Sequence, residues 1–228
     1  MVQKSPAKPA GRRGRPRAYD PDAALARATA VFWDAGFAAT SLDELAAATG
    51  MNRPSLYGAF GDKQALYCAA LEHYRAQARA GMKAALAGDR PILDALRTVY
   101  RGALAMYLSG GKHPRGCFMV GTAVTEAVLD EAVRASLAEG LREIDAAFEA
   151  RFRLARERGE LSRDADPAAL AKLASAILYF LSVRARAGEP RAVLEATAEA
   201  GIALICGGAP GGRKKPARPA RARSGSTR

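Results

Sequence analysis

Residues 40–63, TSLDELAAATGMNRPSLYGAFGDK, contain two short helical patterns separated by one glycine, and this segment constrains the fold more than any other. Ser41 is a preferred N-cap, and Glu44 three residues later completes a capping box at the start of the first helix. Gly50 follows the last apolar position and readily adopts the left-handed conformation of a sharp turn. The pattern therefore predicts two short helices packed around a turn at Gly50.

The second helix has a clear start and two anchoring residues. Asn52 is a good N-cap, and Pro54 is tolerated in the first turn, where its missing N–H is not needed. We expect the helix to end near Phe60, which lies four residues after Leu56, so that both side chains anchor one face to the domain. The opposite face is then available to an outside partner and carries Arg53, Ser55, Tyr57 and Gly58.

A third helix follows directly. Asp62 is its expected N-cap and Lys63 its first residue, which places a cation beside a helix N-terminus that already attracts anions. A phosphate group would fit at this point. Spacing alone leaves an ordinary helical hairpin without a ligand equally open.

The run from Tyr19 to Tyr74 closely resembles the N-terminal DNA-binding domain of TetR/AcrR-family transcriptional regulators. The resemblance rests on an amphipathic first helix, the aromatic pair Phe32 and Trp33, an exit at Gly36 and the helix-turn-helix described above. It implies an all-α protein with a three-helix DNA-binding domain and a C-terminal helical domain for ligand binding and dimerisation. It also implies that the second helix of the motif enters the major groove of DNA.

The resemblance implies a set of DNA contacts, at Ser41, Asn52, Arg53, Pro54, Ser55, Tyr57, Gly58 and Lys63. Arg53 is the first candidate for base readout because its guanidinium can bridge O6 and N7 of guanine, and the alternative is a surface salt bridge. Tyr57 and Lys63 match the family's phosphate-binding tyrosine and lysine, and Ser41 can serve the same strand. Gly58 and Ala59 stand where a second aromatic residue and a histidine are frequent, so the detailed base contacts stay open.

The net charge of +12 comes from the two ends of the chain. Residues 1–18 contain six basic and no acidic side chains, and residues 207–228 contain seven basic and none acidic, whereas residues 19–206 have a net charge of −1. Both tails are rich in Pro, Gly, Ala and Ser, and we expect them to be disordered. The N-terminal arm is predicted to contact the DNA backbone or a minor groove through Arg12, Arg13, Arg15 and Arg17; a solubilising leader is the alternative.

Several other classes of protein are disfavoured. No apolar run approaches a membrane span and no signal peptide is apparent, so a cytoplasmic protein without a membrane partner is expected. The three cysteines and two histidines are too widely separated for a disulfide framework or a metal site. We find no catalytic triad, carboxylate pair or phosphate-binding glycine loop, and therefore expect neither an enzyme nor a cofactor.

The rest of the chain continues in helical patterns without a competing strand. We expect helices from Asp62 to about Arg79, from Ile92 to Tyr107, after Gly116 and from Glu131 to about Arg158, and two more, opened by Pro167 and Pro190. The expected division is a DNA-binding domain at 19–80 and an effector-binding and dimerisation domain at 81–206.

The last two helices resemble the pair through which TetR-family subunits dimerise as a four-helix bundle. The candidate interface residues are Leu173, Ile177, Leu181, Leu194, Ala198 and Ile202. The alternative is a monomer in which this pair completes its own core.

The segment from Arg115 to Ala127 resembles a motif that borders the ligand pocket in one branch of the family. Candidate pocket residues are Met106, Tyr107, Cys117, Phe118 and Thr122, which combine apolar bulk with polar tips. Plain core packing is the alternative for each. An electrophile sensor at Cys117 is a further alternative, which requires Arg115 and Lys112 to lower the pKa of the thiol, and a small buried hydrophobic side chain is favoured over it.

These patterns together predict a homodimeric repressor that binds a palindromic double-stranded DNA operator and is released by an unidentified small-molecule effector. The sequence favours repression but leaves activation of transcription open as an alternative. The alternative is a nucleoid-associated or architectural DNA-binding protein, which the two basic tails would suit.

Overall fold

The computed structural model describes residues 20–88, 90–110 and 113–207, which form nine α-helices and no strand. The N-terminal head contains α1 (Pro21–Ala35), α2 (Leu42–Thr49) and α3 (Arg53–Phe60). The long α4 (Lys63–Leu86) joins the head to the body. The body contains α5 (Ile92–Tyr107), a π-helical turn (Met119–Ala123) that runs into α6 (Val124–Glu126), α7 (Glu131–Glu157), α8 (Pro167–Arg186) and α9 (Arg191–Ile205). The prediction of an all-α fold is confirmed for this part of the chain.

The head is a small helical unit with a well-filled core. α1 begins at Asp20, whose carboxylate accepts hydrogen bonds from the backbone N–H groups of the first turn. Phe32, Leu45, Leu56 and Leu66 come from four different helices and are all buried. Burial of a side chain of this size stabilises the fold by about 1.5–3 kcal/mol, so these four residues hold the short α2 and α3, which would not be stable alone, against α1 and the start of α4.

α4 is longer than the sequence predicted, because it continues past Arg79 to Leu86. Gly81 costs an isolated helix about 1 kcal/mol relative to alanine, but Met82, Ala85 and Leu86 are buried and offset that cost. The expected domain boundary between residues 80 and 81 therefore lies inside a continuous helix. One rigid element of about 36 Å connects the head with the body.

α8 lies between α7 and α9 and contacts both. Within the described residues it is the one helix whose length and apolar composition would suffice to cross a membrane, although no such helix was expected from the sequence. That property is weak support for a membrane span, because a core helix shares it. One side of α8 is indeed buried, and the other side is described below.

A candidate DNA interface and a cavity in the helical body

The helix-turn-helix is built as predicted. Ser41 and Glu44 form the capping box of α2, and Gly50 adopts the left-handed conformation with φ of 69°. The side chain of Asn52 accepts a hydrogen bond of 2.8 Å from the backbone N–H of Ser55 and so caps α3. These local interactions set the direction of α3 before any contact with a partner.

α3 separates its side chains cleanly between the core and the solvent. Leu56 is buried, Ala59 and Phe60 are half-buried against the core, and the other side chains of the helix are exposed. The exposed set contains every predicted contact residue of this helix and its cap, namely Asn52, Arg53, Pro54, Ser55, Tyr57 and Gly58. Tyr57 is 47% exposed although it is a large aromatic residue. The outward face of α3 is therefore sterically free to enter a groove.

Arg53 is not free in this structure, because it is paired with Asp43 of α2. Its Nε and Nη2 atoms donate to the two carboxylate oxygens at 2.8 and 2.6 Å. This hydrogen bonding and the positive charge of Arg53 lower the pKa of the Asp43 carboxyl. The pair is exposed on both sides and so contributes little stability. It does fix the position of the guanidinium on the outer face of the head.

Ser41 and Lys63 lie near one another but are already engaged. The backbone N–H and the hydroxyl of Ser41 both donate to one carboxylate oxygen of Glu44, at 2.7 and 2.8 Å. These hydrogen bonds lower the pKa of the Glu44 carboxyl. A phosphate contact by Ser41 thus requires Glu44 to move. The ammonium group of Lys63 lies over the ring of Phe37, 4.3 Å from the ring centroid, and this cation–π contact positions the ammonium group against the head.

The four predicted contact residues of the N-terminal arm, Arg12, Arg13, Arg15 and Arg17, lie outside the described residues, as does the basic tail from residue 208 onward.

The body contains a cavity of about 240 Å³ between α4, α5 and α8, which opens to solvent beside Gln77, Gly81 and Gly102. Three of the five predicted pocket residues line it, namely Met106, Tyr107 and Cys117. Gly81 and Gly102 also line it, from α4 and α5, and an added Cβ at either glycine would meet no atom within 4 Å. Polar residues of α4 and α8 also line the cavity, among them Gln77 and Tyr179, which were not predicted from the sequence.

Tyr179 provides the cavity with an unused polar group. Its hydroxyl is buried and has no hydrogen-bond partner in the described part of the chain. Burial raises the pKa of its phenol, which therefore stays protonated and can donate a hydrogen bond. A buried hydroxyl without a partner is costly, and a bound molecule with an acceptor atom would remove that cost.

The predictions for Phe118 and Thr122 are wrong as far as the cavity is concerned, because neither residue lines it. Both are buried where the body meets the head. The ring of Phe118 lies 5.7–6.0 Å from the rings of Trp33, Tyr67 and Tyr74. The hydroxyls of Thr122 and Tyr67 are 2.8 Å apart and hydrogen-bonded. The helical turn after Gly116 directs these side chains toward α1 and α4 rather than into the cavity.

The segment of residues 113–117, hereafter the junction segment, connects three parts of the molecule. Arg115 donates to both carboxylate oxygens of Asp34 in α1, at 2.6 and 2.9 Å. The indole N–H of Trp33 donates to the carbonyl oxygen of Gly116 at 3.2 Å. Arg186 of α8 donates to the carbonyl oxygen of Arg115 at 3.0 Å. Cys117, the last residue of the segment, lines the cavity. The junction segment therefore contacts the head, α8 and the cavity at once.

Cys117 has the properties of a buried structural thiol. Burial raises the pKa of the thiol, and the hydroxyl of Tyr74 donates to its sulfur at 3.2 Å. Arg115, which the sensor hypothesis needed nearby, is instead paired with Asp34. Because the thiolate is the reactive form, this environment disfavours an electrophile sensor at Cys117.

Four of the six predicted dimerisation residues are buried inside the subunit, namely Leu181, Leu194, Ala198 and Ile202. The largest exposed fraction among them is 4%. Side chains with so little accessible surface in the subunit leave little for a second copy to contact, and their assignment to an interface stays a prediction. The physical reason for their burial is that α8 and α9 pack against the rest of their own body. Leu173 and Ile177 do lie toward the surface.

The outward side of α8 and α9 carries apolar residues in the same helical register, which we call the outer α8–α9 face: Leu173, Ile177, Phe180, Val183, Val193 and Leu204. All but Ile177, which is partly buried, rank among the exposed large hydrophobic residues of the described chain. The two helices approach closely at Gly201, where an added Cβ would lie 2.7 Å from Ile177. Their outer residues therefore lie side by side.

Sequence models of two known domains match the chain. The one described as "Bacterial regulatory proteins, tetR family" covers residues 24–70, and the one described as "Tetracyclin repressor-like, C-terminal domain" covers residues 93–200. The first match spans most of the head and the beginning of α4, and the second spans most of the body.

Known repressors are similar over much of the chain. The HTH-type transcriptional repressor ComR of Escherichia coli (strain K12) is 32% identical over 177 residues, which is 77% of this chain and 84% of ComR. The HTH-type transcriptional repressor BdcR of the same strain is 36% identical over 98 residues, which is 43% of this chain and 50% of BdcR.

A solved protein–DNA complex is also similar. A cysteine mutant of the TetR family transcriptional regulator CifR, complexed with 26-base-pair double-strand operator DNA, is 37% identical with a TM-score of 0.75, and the match covers 82% of this chain and 98% of that chain. These relatives are transcriptional regulators rather than enzymes. With the helix-turn-helix head, the continuous α4 and the all-helical body, these similarities show that the chain belongs to the TetR family of DNA-binding transcriptional regulators.

Proposed function

We propose that the protein is a cytoplasmic homodimeric repressor that binds a palindromic operator and leaves it when a small molecule occupies the cavity of the body. The junction segment supports this proposal most directly, because it borders the cavity through Cys117 and is bonded to the head through Arg115 and Gly116. A displacement of Cys117 on ligand binding would therefore be transmitted through the junction segment to the head that contains α3.

DNA binding is assigned to the outward face of α3. Its exposed residues face the solvent without obstruction, and Lys63 and Tyr57 supply phosphate contacts beside the base-reading Arg53. On binding, Arg53 exchanges its carboxylate partner Asp43 for a guanine edge. The arm containing Arg12, Arg13, Arg15 and Arg17 adds contacts to the backbone or the minor groove.

Dimerisation is assigned to the outer α8–α9 face. A monomer that exposed this row of large apolar side chains would be prone to association, and two-fold packing of the same face in a second copy would bury it. The resulting symmetry presents two copies of α3 to successive major grooves, about 34–36 Å apart. The operator is accordingly expected to be a palindrome.

The effector is expected to be a compact and mainly apolar molecule that carries at least one hydrogen-bond acceptor. Apolar and aromatic side chains form most of the cavity wall, and the Tyr179 hydroxyl supplies a free donor. A coupling free energy of about 1–3 kcal/mol between this site and the DNA interface would change operator affinity by about 5- to 150-fold.

The deciding experiment is selection of bound duplexes from a random pool by the full chain, followed by footprinting on the winning sequence. We expect one palindrome with half-sites a single helical turn apart, protected by a dimer. Uniform protection without sequence preference would instead identify an architectural DNA-binding protein that relies on its basic tails.

A further inference from the structure

We propose that the groove between the end of α4 and the second half of α7 is a separate binding site for a small amphiphilic carboxylate. The groove has a volume of about 560 Å³ and lies on the surface of the body. It differs from the central cavity in charge, since three basic residues, Arg79, Lys83 and Arg151, line it together with one acidic residue, Glu143.

The strongest observation is the state of Arg151. Its side chain is buried, with the whole residue only 4% exposed. Nη2 donates to the carbonyl oxygen of Arg90 at 2.8 Å and to a carboxylate oxygen of Glu160 at 3.2 Å, with which it forms an ion pair. Nε and Nη1 are buried and have no hydrogen-bond partner in the described residues. A buried guanidinium with two unused donors is unfavourable unless an acceptor reaches it.

The charges nearby favour an anion as that acceptor. The Glu160 oxygen that faces Arg151 also accepts a hydrogen bond from the backbone N–H of Ile92, so it is shared. Lys83 lies on the rim of the groove and forms no ion pair within the described ranges. Arg79, by contrast, is paired with Glu72 and Glu143. One uncommitted ammonium group and one under-bonded guanidinium thus line the same groove.

The remaining wall is suited to a hydrocarbon chain or ring. It is formed by Met82 and Leu86 of α4 and by Ile144, Ala147 and Leu154 of α7. A ligand with an anionic head and an apolar body would place its head near Arg151 and Lys83 and its body along this wall. Because the wall includes the last turns of α4, such a ligand would directly contact the helix that connects the body with the head.

Octanoate is a suitable probe, and octanamide is its neutral counterpart. Binding to the full chain is followed by NMR of ¹³C-labelled methionine methyl groups. Met82 borders both the groove and the central cavity, whereas Met106 and Met119 line only the cavity. We expect a saturable shift of the Met82 methyl with octanoate, no shift of the other two, and binding of octanamide that is about tenfold weaker.

Charge-removing variants complete the test. Lys83→Gln should weaken octanoate binding by about three- to fivefold and leave octanamide unchanged. Lys172→Gln removes the same charge from α8, outside the groove, and should have no effect. Arg151→Met should abolish the preference for octanoate; because it also removes native contacts, its folding is checked by circular dichroism. Equal binding of the two probes, or shifts of Met106 and Met119 instead of Met82, would overturn the proposal.

Discussion

At the scale of single residues, the exposed pair of Arg53 and Asp43 explains how the head can hold its main base-reading candidate without DNA. The carboxylate keeps the guanidinium outside the core and in a defined orientation. The same carboxylate repels phosphate groups, so it discourages binding to DNA that offers Arg53 no matching base. Asp43 is therefore expected to tune selectivity as well as position.

Substitution of either partner should separate these roles. Arg53→Ala should weaken operator binding by about ten- to a hundredfold, because the base contact is lost, and weaken binding to unrelated DNA much less, because only a charge is lost there. Asp43→Ala should strengthen binding to both, and most to unrelated DNA, because a negative charge is lost. Fluorescence anisotropy with the two duplexes measures this difference. If Arg53→Ala leaves the operator affinity unchanged, Arg53 is only a surface salt bridge.

Substitution of Gly116 is expected to have a measurable effect on the free energy of unfolding. It has a φ of 65°, and an added Cβ would lie 2.8 Å from the carbonyl oxygen of Ser182. Gly188 has a φ of 87° but open space around the Cβ position. Gly116→Ala should therefore lower the free energy of unfolding by at least about 1 kcal/mol more than Gly188→Ala does. Urea unfolding of both variants provides the comparison, and equal losses would mean that the junction segment tolerates displacement.

At the scale of helices, the sequence predicted helix starts best, because a helix N-cap depends on residues that are close together in the chain. Ser41 with Glu44 and Asn52 with Pro54 correctly predicted the starts of α2 and α3. The end of α4 was predicted near Arg79, and the burial of Met82 and Leu86 shows why the helix continues. Phe118 and Thr122 were misplaced because a motif does not reveal which neighbour its side chains face.

The facing glycines of α4 and α5 predict how the cavity can be closed. Gly102→Leu should project its side chain into the cavity space and abolish binding of a small apolar probe such as indole. It should also raise thermal stability, since leucine is favoured over glycine in a helix by roughly 0.8 kcal/mol. Calorimetric titration with indole measures the first effect and thermal unfolding the second.

Ala84→Leu is the matched control, because Ala84 is exposed on α4 and does not line the cavity. It should leave indole binding unchanged. Operator binding by Gly102→Leu should persist and become insensitive to the natural effector. Wild-type affinity of Gly102→Leu for indole would show that the probe binds elsewhere.

At the scale of the whole molecule, the sequence could not tell which apolar side of α8 faces its own body. α8 is apolar on two sides, with Leu178 and Leu181 buried and Leu173 and Phe180 exposed. Helical spacing places both sets on a helix but does not assign either to the subunit core. Only the packing of α7 and α9 against α8 separates the core side from the outer α8–α9 face.

The proposed dimer can be tested by a charge on this face. Phe180→Glu should reduce the mass in solution from twice the chain mass to the chain mass of 24.0 kDa, because a buried unpaired carboxylate is very costly. Leu129→Glu is the control, since Leu129 is 85% exposed in the turn before α7. Analytical ultracentrifugation gives both masses. A dimeric Phe180→Glu protein with unchanged operator binding would place the interface elsewhere.

The chain has a single tryptophan, and it lies where head and body meet. Trp33 is hydrogen-bonded to Gly116, meets the ring of Tyr74 edge to face and packs at a tilt against Phe118. Its intrinsic emission therefore arises from one known point of the molecule. Loosening of this contact would expose the indole to water and shift the emission maximum to longer wavelength. The fluorescence of an unlabelled sample can therefore report in real time whether ligand binding in the cavity of the body changes its contact with the head.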